Sequence, residues 1–238
     1  MERCCVIVVG IETSTPQTSV AIGTEREILG SVSVAGKARQ ESVTPALHQL
    51  LAWTGLDVGS VGGIAVGTGP GLFTGLRVGV ETAKTLAQVL MVPILAFTSL
   101  DALAYSVRHT HKRIASVIDA RRGEVFYSMY RSVPGGVVRE TEHRVASPVG
   151  LVAELEADPG EVLAVGDGAM LYRDELEELG SRVEVGTLTT AHPGATALVE
   201  LAVPRFMREE LDRVFDVVPL YLRKSDAEIA WDQRARGA

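Results

Sequence analysis

The first hundred residues alternate between short apolar runs typical of strands and longer amphipathic stretches typical of helices. The pattern predicts strands over residues 6–10, 19–23, 28–34, 64–66 and 93–97. It predicts helices over about 41–53 and 73–90, and a third helix that begins at a capping box in residues 98–101. Thr44 is expected to cap the first helix and Gly55 to end it. The first half therefore contains three strands followed by alternating helices and strands.

The second half repeats this order in a shorter form. Strands are predicted over residues 114–119, 123–130, 137–145 and 162–165, and helices from Ser147 onward and over 172–179 and 193–208. Asp119 follows the first strand of this half as Glu12 follows the first strand of the chain. Such a repeat is typical of two copies of one α/β unit.

The repeat predicts two tandem units, residues 1–107 and 108–224, each with a mixed sheet flanked by helices. Residues 217–223 are apolar enough to form an edge strand or a docking tail. Residues 225–238 are polar and small, and we expect them to form a frayed terminus.

A glycine-rich stretch, residues 67–77 (GTGPGLFTGLR), joins a predicted strand to a predicted helix. It lacks the Gly-Lys-Ser/Thr of a P-loop and the third glycine of the dinucleotide fingerprint. Small residues then recur at every fourth position of the helix, and positions four apart share one helix face. They are Gly71, Gly75, Gly79, Ala83 and Ala87. This stripe predicts close packing, either on the chain's own sheet or against a helix of a partner chain.

The composition narrows the range of functions. The chain has 238 residues and a net charge of −7, and only 5% of its residues are aromatic. A protein that binds RNA by itself usually carries a basic face, so we expect this chain to repel nucleic acid unless a partner supplies the positive surface. Cys4 and Cys5 are adjacent, which makes a disulfide bond a poor candidate and favours a reducing compartment. The apolar run that contains them is too short for a membrane span. We therefore expect a cytoplasmic protein with no membrane partner.

The sequence gives little support for metal-dependent or nucleophilic catalysis. The histidines show neither His-Glu-x-x-His nor His-x-x-x-His spacing, and no Gly-x-Ser-x-Gly elbow occurs. ATP chemistry stays open, because Glu12 and Asp119 each follow a predicted strand and begin a turn, where a carboxylate could orient a metal ion or accept a proton. Residues 166–168 (GDG) form a further turn, and the turn at Asp119 carries Arg121 and Arg122 instead of small, glycine-rich residues that could cradle a phosphate. An ATP-dependent phosphotransferase or ATPase is therefore the alternative function.

Four segments resemble the TsaB (YeaZ) family, which belongs to the actin, sugar kinase and Hsp70 superfamily. They are residues 11–15, 69–79, 118–125 and 219–223. The resemblance implies two tandem RNase H-like units, the N-terminal one carrying the helices that bind a partner. Glu12 departs from the family pattern, which more often has Asp there.

The resemblance also implies a function for this chain. It implies a non-catalytic scaffold subunit that pairs with a TsaD-like catalytic subunit, or with itself when alone, and works with a TsaE-like ATPase. The assembly transfers a threonylcarbamoyl group from threonylcarbamoyl-adenylate to the adenosine next to the tRNA anticodon. No catalytic, cofactor or metal site is expected on this chain alone, while ATP and a metal ion are expected on the partner subunits.

The partner surface is expected on the two helices over about 41–53 and 73–90. The predicted interface residues are Leu47, Leu51, Gly71, Gly75, Val78, Gly79 and Leu86. Glu12, Thr13 and Asp119 are expected to be degenerate phosphate-turn positions whose main role is turn and cap hydrogen bonding.

Overall fold

The computed structural model describes residues 6–36 and 39–223, with no side-chain description at residues 39 and 40. The predictions for Cys4, Cys5 and residues 225–238 lie outside these ranges. Within them, the first sheet has the strands β1 (Val8–Glu12), β2 (Gln17–Gly23), β3 (Ile28–Ala35), β4 (Gly63–Gly67) and β5 (Ile94–Phe97), in the order β3-β2-β1-β4-β5. β1, β2 and β3 are antiparallel, and β4 and β5 run parallel to β1. The helices of this half are α1 (Val43–Thr54), α2 (Phe73–Leu90) and α3 (Ser99–Ser106).

The second sheet repeats this arrangement. Its strands are β6 (Arg113–Arg121), β7 (Glu124–Val133), β8 (Gly136–Arg139), β9 (Arg144–Ala146), β10 (Val162–Val165) and β11 (Val183–Val185). They lie in the order β11-β10-β6-β7-β8, with β9 also paired to β7. The helices are α4 (Pro148–Ala157), α5 (Asp167–Leu171), α6 (Arg173–Glu177) and α7 (Ala195–Met207). Two mixed sheets with flanking helices confirm the predicted fold class.

Helix α7 links the two halves. The predicted boundary after residue 107 separates the two sheets, but α7 comes from the second range and packs on the first sheet. The helices α1 and α2 cover one face of that sheet. Since every residue of β1 is buried, the opposite face also needs a cover. Leu198, Val199 and Phe206 of α7 provide it.

Several predicted local details change in the structure. The strand predicted over 137–145 is divided into β8 and β9, because the polar residues between them make side-chain contacts with β7 instead of continuing the ladder. The helix predicted over 172–179 is the shorter α6, which directly follows α5. Thr44 is not the cap of α1, which begins at Val43, whereas Gly55 ends that helix at φ +69° as predicted.

The apolar segment 217–223 is not an edge strand. Val217 is buried in the core beneath α1 and α2, and the N–H of Leu220 donates to the carbonyl of Thr68. Leu222 packs against the core of the second sheet, and Arg223 pairs with Glu124 of β7. The docking-tail alternative is therefore correct, and this segment (the clasp, residues 217–223) touches both halves.

Candidate functional site

Glu12, at the end of β1, is completely buried. Its Oε1 accepts a hydrogen bond of 2.7 Å from the N–H of Ser14, and its Oε2 accepts one of 2.9 Å from the hydroxyl of Ser99. Burial raises the pKa of Glu12, and these hydrogen bonds act against that rise. The carboxyl group therefore occupies the backbone N–H of Ser14 in its own turn, and an anion bound here would need that same N–H group.

Three glycines of the stripe seal this turn. A Cβ added at Gly71 or Gly75 would lie 2.2 Å from the carbonyl oxygen of Ser14 or Thr13, respectively. A Cβ at Gly79 would lie 2.1 Å from the hydroxyl of Thr13, which donates to the carbonyl of Gly75 at 2.8 Å. Because the chain's own turn fills the space beside these glycines, a partner helix cannot use it. The prediction that Gly71, Gly75 and Gly79 belong to a partner interface is corrected accordingly: these residues pack within the chain.

The glycine-rich stretch closes the site from the other side. A Cβ at Gly67 would lie 1.9 Å from Oε2 of Glu12. The N–H of Gly69 donates to the hydroxyl of Ser99 at 3.2 Å, and the N–H of Ser99 donates to the carbonyl of Gly69 at 2.7 Å. Sequence reasoning treats Ser99 only as a residue at a helix start, and it misses the bond to Glu12 because the two residues are 87 positions apart.

Asp119 forms the corresponding turn of the second half. Its Oδ1 accepts a hydrogen bond of 2.8 Å from the N–H of Arg121, and its Oδ2 lies 3.0 Å from the guanidinium of the same arginine. Arg121, Arg122 and Gly123 all have left-handed backbone, with φ of 64°, 57° and 74°. The carboxylate thus holds its own hairpin turn.

Asp167 lies directly beside Asp119. Its Oδ1 accepts a hydrogen bond of 3.0 Å from the N–H of Asp119. This close approach requires Gly166, where a Cβ would lie 1.9 Å from the carbonyl of Val117. Burial, together with the nearby charge of Asp119, raises the pKa of Asp167 to about 6. The structure therefore joins two of the three turns considered for ATP, those at Asp119 and Asp167.

The other predicted interface residues lie at different depths. Leu47 is only 6% exposed and belongs to the core under α1, so it is not available to a partner. Leu51 and Leu86 are half-buried at the edge of that core, and Val78 is also half-buried.

An apolar strip follows one flank of α2. Val78 and Val89 share this flank, because a spacing of eleven residues returns to nearly the same side of a helix, and Leu86 lies at the border between this flank and the core. Val89 is 72% exposed, and Met91, directly after the helix, is 90% exposed. Trp53 near the end of α1 is 70% exposed. Sequence reasoning missed Val89, Met91 and Trp53, because the sequence does not show whether an apolar side chain near the end of a helix is buried or exposed.

Other kinds of site find little support in the described ranges. Residues 6–36 and 39–223 contain no group of three or more His, Cys, Asp or Glu side chains arranged to hold a metal ion. Over the same part of the chain, none of the helices combines the length and apolarity that crossing a bilayer requires.

Comparison with known proteins gives a consistent family. Residues 33–231 match the family model described as TsaD, tRNA N6-adenosine threonylcarbamoyltransferase. The Bacillus subtilis (strain 168) protein named tRNA threonylcarbamoyladenosine biosynthesis protein TsaB is 30% identical over 226 residues, which cover 94% of this chain and 97% of that protein. The Escherichia coli (strain K12) protein of the same name is 26% identical, with coverage of 94% and 96%.

Solved structures agree with these relatives. YeaZ from Pseudomonas aeruginosa superimposes with a TM-score of 0.75 at 27% identity, covering 91% of this chain and all of that one. The ROK hexokinase from Thermus thermophilus, at 13% identity and a TM-score of 0.50, shares the fold alone. The similarity along nearly the whole length of these relatives, together with the shared architecture of two mixed sheets, establishes that this chain belongs to the TsaB (YeaZ) family.

Proposed function

We propose that this chain takes part in the biosynthesis of threonylcarbamoyladenosine in tRNA as a non-catalytic scaffold subunit. In this proposal it pairs with a TsaD-like catalytic subunit and cooperates with a TsaE-like ATPase. The assembly transfers a threonylcarbamoyl group from threonylcarbamoyl-adenylate to the adenosine beside the anticodon. The observation that carries the non-catalytic role is the sealed turn at Glu12.

The sealed turn argues against phosphate chemistry in the first half. A phosphate at this turn would have to replace the Glu12 carboxyl as acceptor for the N–H of Ser14. It would also have to displace the N-terminal part of α2, which lies on the Thr13 backbone. Both changes leave buried polar groups without partners, and each such group costs about 1–3 kcal/mol. In this proposal, ATP and a metal ion bind to the partner subunits.

The alternative, an ATPase or phosphotransferase, draws on the second half. Asp119 and Asp167 are adjacent, and a carboxyl group with a pKa of about 6 is able to exchange a proton near neutral pH. Against this, Asp119 is already bonded to Arg121, whose side chain stands at the turn where a phosphate would need free N–H groups. The scaffold function explains both turns in the same way: their carboxyl groups accept hydrogen bonds from backbone N–H groups and stabilise the turns.

The apolar strip of α2 is the proposed surface for the TsaD-like subunit. Val78 and Val89 lie on one flank of the helix, half-buried Leu86 borders this flank, and Met91 extends the strip at its end. Both α1 and α2 connect one strand to another strand that runs in the same direction, so the C-terminal ends of the two helices lie at the same edge of the sheet. Trp53, near the end of α1, therefore lies at the same edge as Met91. Exposed apolar groups in such a patch are typical of a protein interface. The same surface serves for pairing of two copies when the partner is absent.

The experiment that tests the proposal compares two binding activities of this chain, towards a TsaD-like subunit and towards ATP. The chain is co-expressed with a TsaD-like subunit and analysed by size-exclusion chromatography, and the isolated chain is titrated with ATP and Mg²⁺ by calorimetry. A stable heterodimer without nucleotide binding by the isolated chain supports the scaffold function. Nucleotide binding at micromolar concentration by the isolated chain, without a heterodimer, contradicts it.

A further inference from the structure

A cavity of about 260 Å³ lies between the two halves of the molecule, apart from both acidic turns. The first sheet and its helices contribute to it, and so does the β7–β8 hairpin of the second sheet. Its lining residues are Phe97, Asp101, Tyr130, Val137, Arg139 and Leu201. A space of this size accepts a molecule of about ten non-hydrogen atoms, below the usual range for drug-sized ligands.

Two opposite charges face this cavity without being hydrogen-bonded to each other. Oδ1 of Asp101 lies 4.0 Å from a guanidinium nitrogen of Arg139, which is too long for a hydrogen bond. The same oxygen accepts a hydrogen bond of 2.8 Å from the buried hydroxyl of Tyr130, which fixes the carboxylate in place. Both charged side chains are about one-third exposed, at 32% for Asp101 and 37% for Arg139. Each therefore keeps hydrogen-bonding capacity towards a ligand.

His143 holds the arginine from the other side. Its Nε2 contacts the guanidinium of Arg139, while its Nδ1 lies 2.8 Å from the hydroxyl of Ser128. Burial, followed by the charge of Arg139, lowers the pKa of His143, so the imidazole is neutral and accepts a hydrogen bond from the guanidinium. A neutral neighbour orients Arg139 and leaves its positive charge available.

The rest of the wall is apolar and is held by the core. Phe97, Val137 and Leu201 are half-buried, and all three pack against the core between α7 and the first sheet. The guanidinium of Arg205 lies over the ring of Phe97, 5.5 Å from its centroid. A branched hydrocarbon group placed against this wall would lose contact with water.

We propose that this cavity binds a free α-amino acid with an apolar side chain. The ammonium group would pair with Asp101, the carboxylate with Arg139, and the side chain with Phe97, Val137 and Leu201. An α-amino acid carries its ammonium and carboxylate groups on the same carbon, so it matches a carboxylate and a guanidinium about 4 Å apart. A simple anion would meet the negative charge of Asp101, and a simple amine would meet the positive charge of Arg139.

The test is a ligand-observed NMR titration of the full-length protein with leucine, isoleucine, valine and phenylalanine. Because the site is small and partly open to water, we expect a dissociation constant on the order of 1 mM for the best of them. Two probes share the skeleton of leucine but lack one charge: 4-methylpentanoate has no ammonium group, and 3-methylbutylamine has no carboxylate. Each should bind at least about tenfold more weakly than leucine, because one of the two charges in the protein is then left unpaired.

Variants test the residues directly. Arg139→Gln and Asp101→Asn should each weaken amino-acid binding at least about tenfold. Arg131→Gln is the matched control, because Arg131 is an exposed arginine of the neighbouring strand that pairs with Glu140, outside the cavity lining. Circular dichroism checks that each variant is folded. The proposal is overturned if none of the four amino acids binds at about 10 mM, if 4-methylpentanoate or 3-methylbutylamine binds as well as leucine, or if Arg139→Gln binds as the wild type does.

Discussion

Individual residues explain why the N-terminal turn is closed to ligands. The N–H of Ser14 and the hydroxyl of Ser99 both donate to the carboxyl group of Glu12. Glycines at positions 71, 75 and 79 allow α2 to lie directly on the backbone of this turn. A buried carboxyl group with all of its partners inside the protein stabilises a local fold, and it has no open side from which to reach a substrate.

Gly79→Ala tests this packing. The new Cβ would lie 2.1 Å from the hydroxyl of Thr13, so we expect a loss of about 2–4 kcal/mol in the free energy of unfolding, measured by urea denaturation. Thr74→Ala, at an exposed position of the same helix, is the control and should change stability by less than about 0.5 kcal/mol. Combining Gly79→Ala with Thr13→Ala should recover part of the loss, because the clashing atom is removed. Additive effects of the two substitutions would show that the clash is not the cause.

Asp167 predicts a specific dependence of stability on pH. Its pKa is about 6 in the folded protein against an ordinary value of 3.8. The folded state therefore binds more protons than the unfolded state between these values, and stability falls as the pH rises from about 4 to 6. The difference of about two pKa units corresponds to about 3 kcal/mol, all of it lost above pH 6. Asp167→Asn should remove this slope and be more stable than the wild type at pH 7, by about 1–3 kcal/mol.

The control for this prediction is Asp174→Asn, an exposed carboxylate at the start of α6. It should keep the slope of the wild type in denaturant titrations across pH 4–7. If Asp167→Asn keeps the slope as well, the burial of Asp167 is not its source.

At the scale of elements, α2 serves two purposes with its two sides. Its glycines and alanines face the chain's own sheet and turn, while Val78 and Val89 lie on a flank turned away from the core, with Leu86 at the border. A helix that is well packed on one side can carry a partner surface on the other without losing its place in the fold. The proposed pairing with a TsaD-like subunit depends on this division.

Val78→Glu and Val89→Glu test the partner surface. A carboxylate in the apolar strip would be desolvated on pairing, so each substitution should weaken the heterodimer by about 2 kcal/mol or more, measured by calorimetry. Val149→Glu on α4 is the control, because Val149 is 74% exposed but lies in the second half of the molecule. Equal effects of the three substitutions, or none, would place the interface elsewhere.

The sequence is sufficient for the main elements of the first half and for the repeat, but not for every element of the second half or for contacts between distant segments. Period-two and helical patterns predicted the strands and helices of the first half, because each buries one side against a neighbour. The stripe at positions 71, 75 and 79 predicted close packing, but helix periodicity cannot say whether the neighbour is the turn at Thr13 or another chain. Two features depend on residues that are far apart in the chain and meet only in the fold. One is the hydrogen bond between Glu12 and Ser99, and the other is the packing of α7 on the first sheet.

At the scale of the whole molecule, the two repeated units are not independent. Helix α7 closes the open face of the first sheet, and the clasp packs on both cores. Arg77 of α2 donates to the hydroxyl of Tyr221 at 3.2 Å, and the ring of Tyr221 stacks on Phe73 with a centroid distance of 4.8 Å. The surface of α2 is therefore supported by residues from the end of the described chain.

This dependence predicts that residues 1–107 do not fold alone. Without α7, the buried face of β1 and β2 would be exposed to water. The isolated segment should show no cooperative thermal transition, whereas the full chain should unfold in a single one. Phe206→Ala in the full chain should cost about 3–5 kcal/mol, because the ring packs on the first sheet. A cooperative transition of the isolated segment would show that the cover by α7 is dispensable.

The most direct test of the non-catalytic role measures the rate of threonylcarbamoyl transfer to tRNA by the reconstituted assembly. The assembly contains the TsaD-like and TsaE-like subunits with either the wild-type chain or a chain carrying both Glu12→Gln and Asp119→Asn. Calorimetry first confirms that the variant is folded and pairs with unchanged affinity. If both carboxyl groups only hold backbone, the rate should stay within about twofold of the wild type. A loss of about tenfold or more in a fully assembled complex would show that this chain contributes directly to the chemistry.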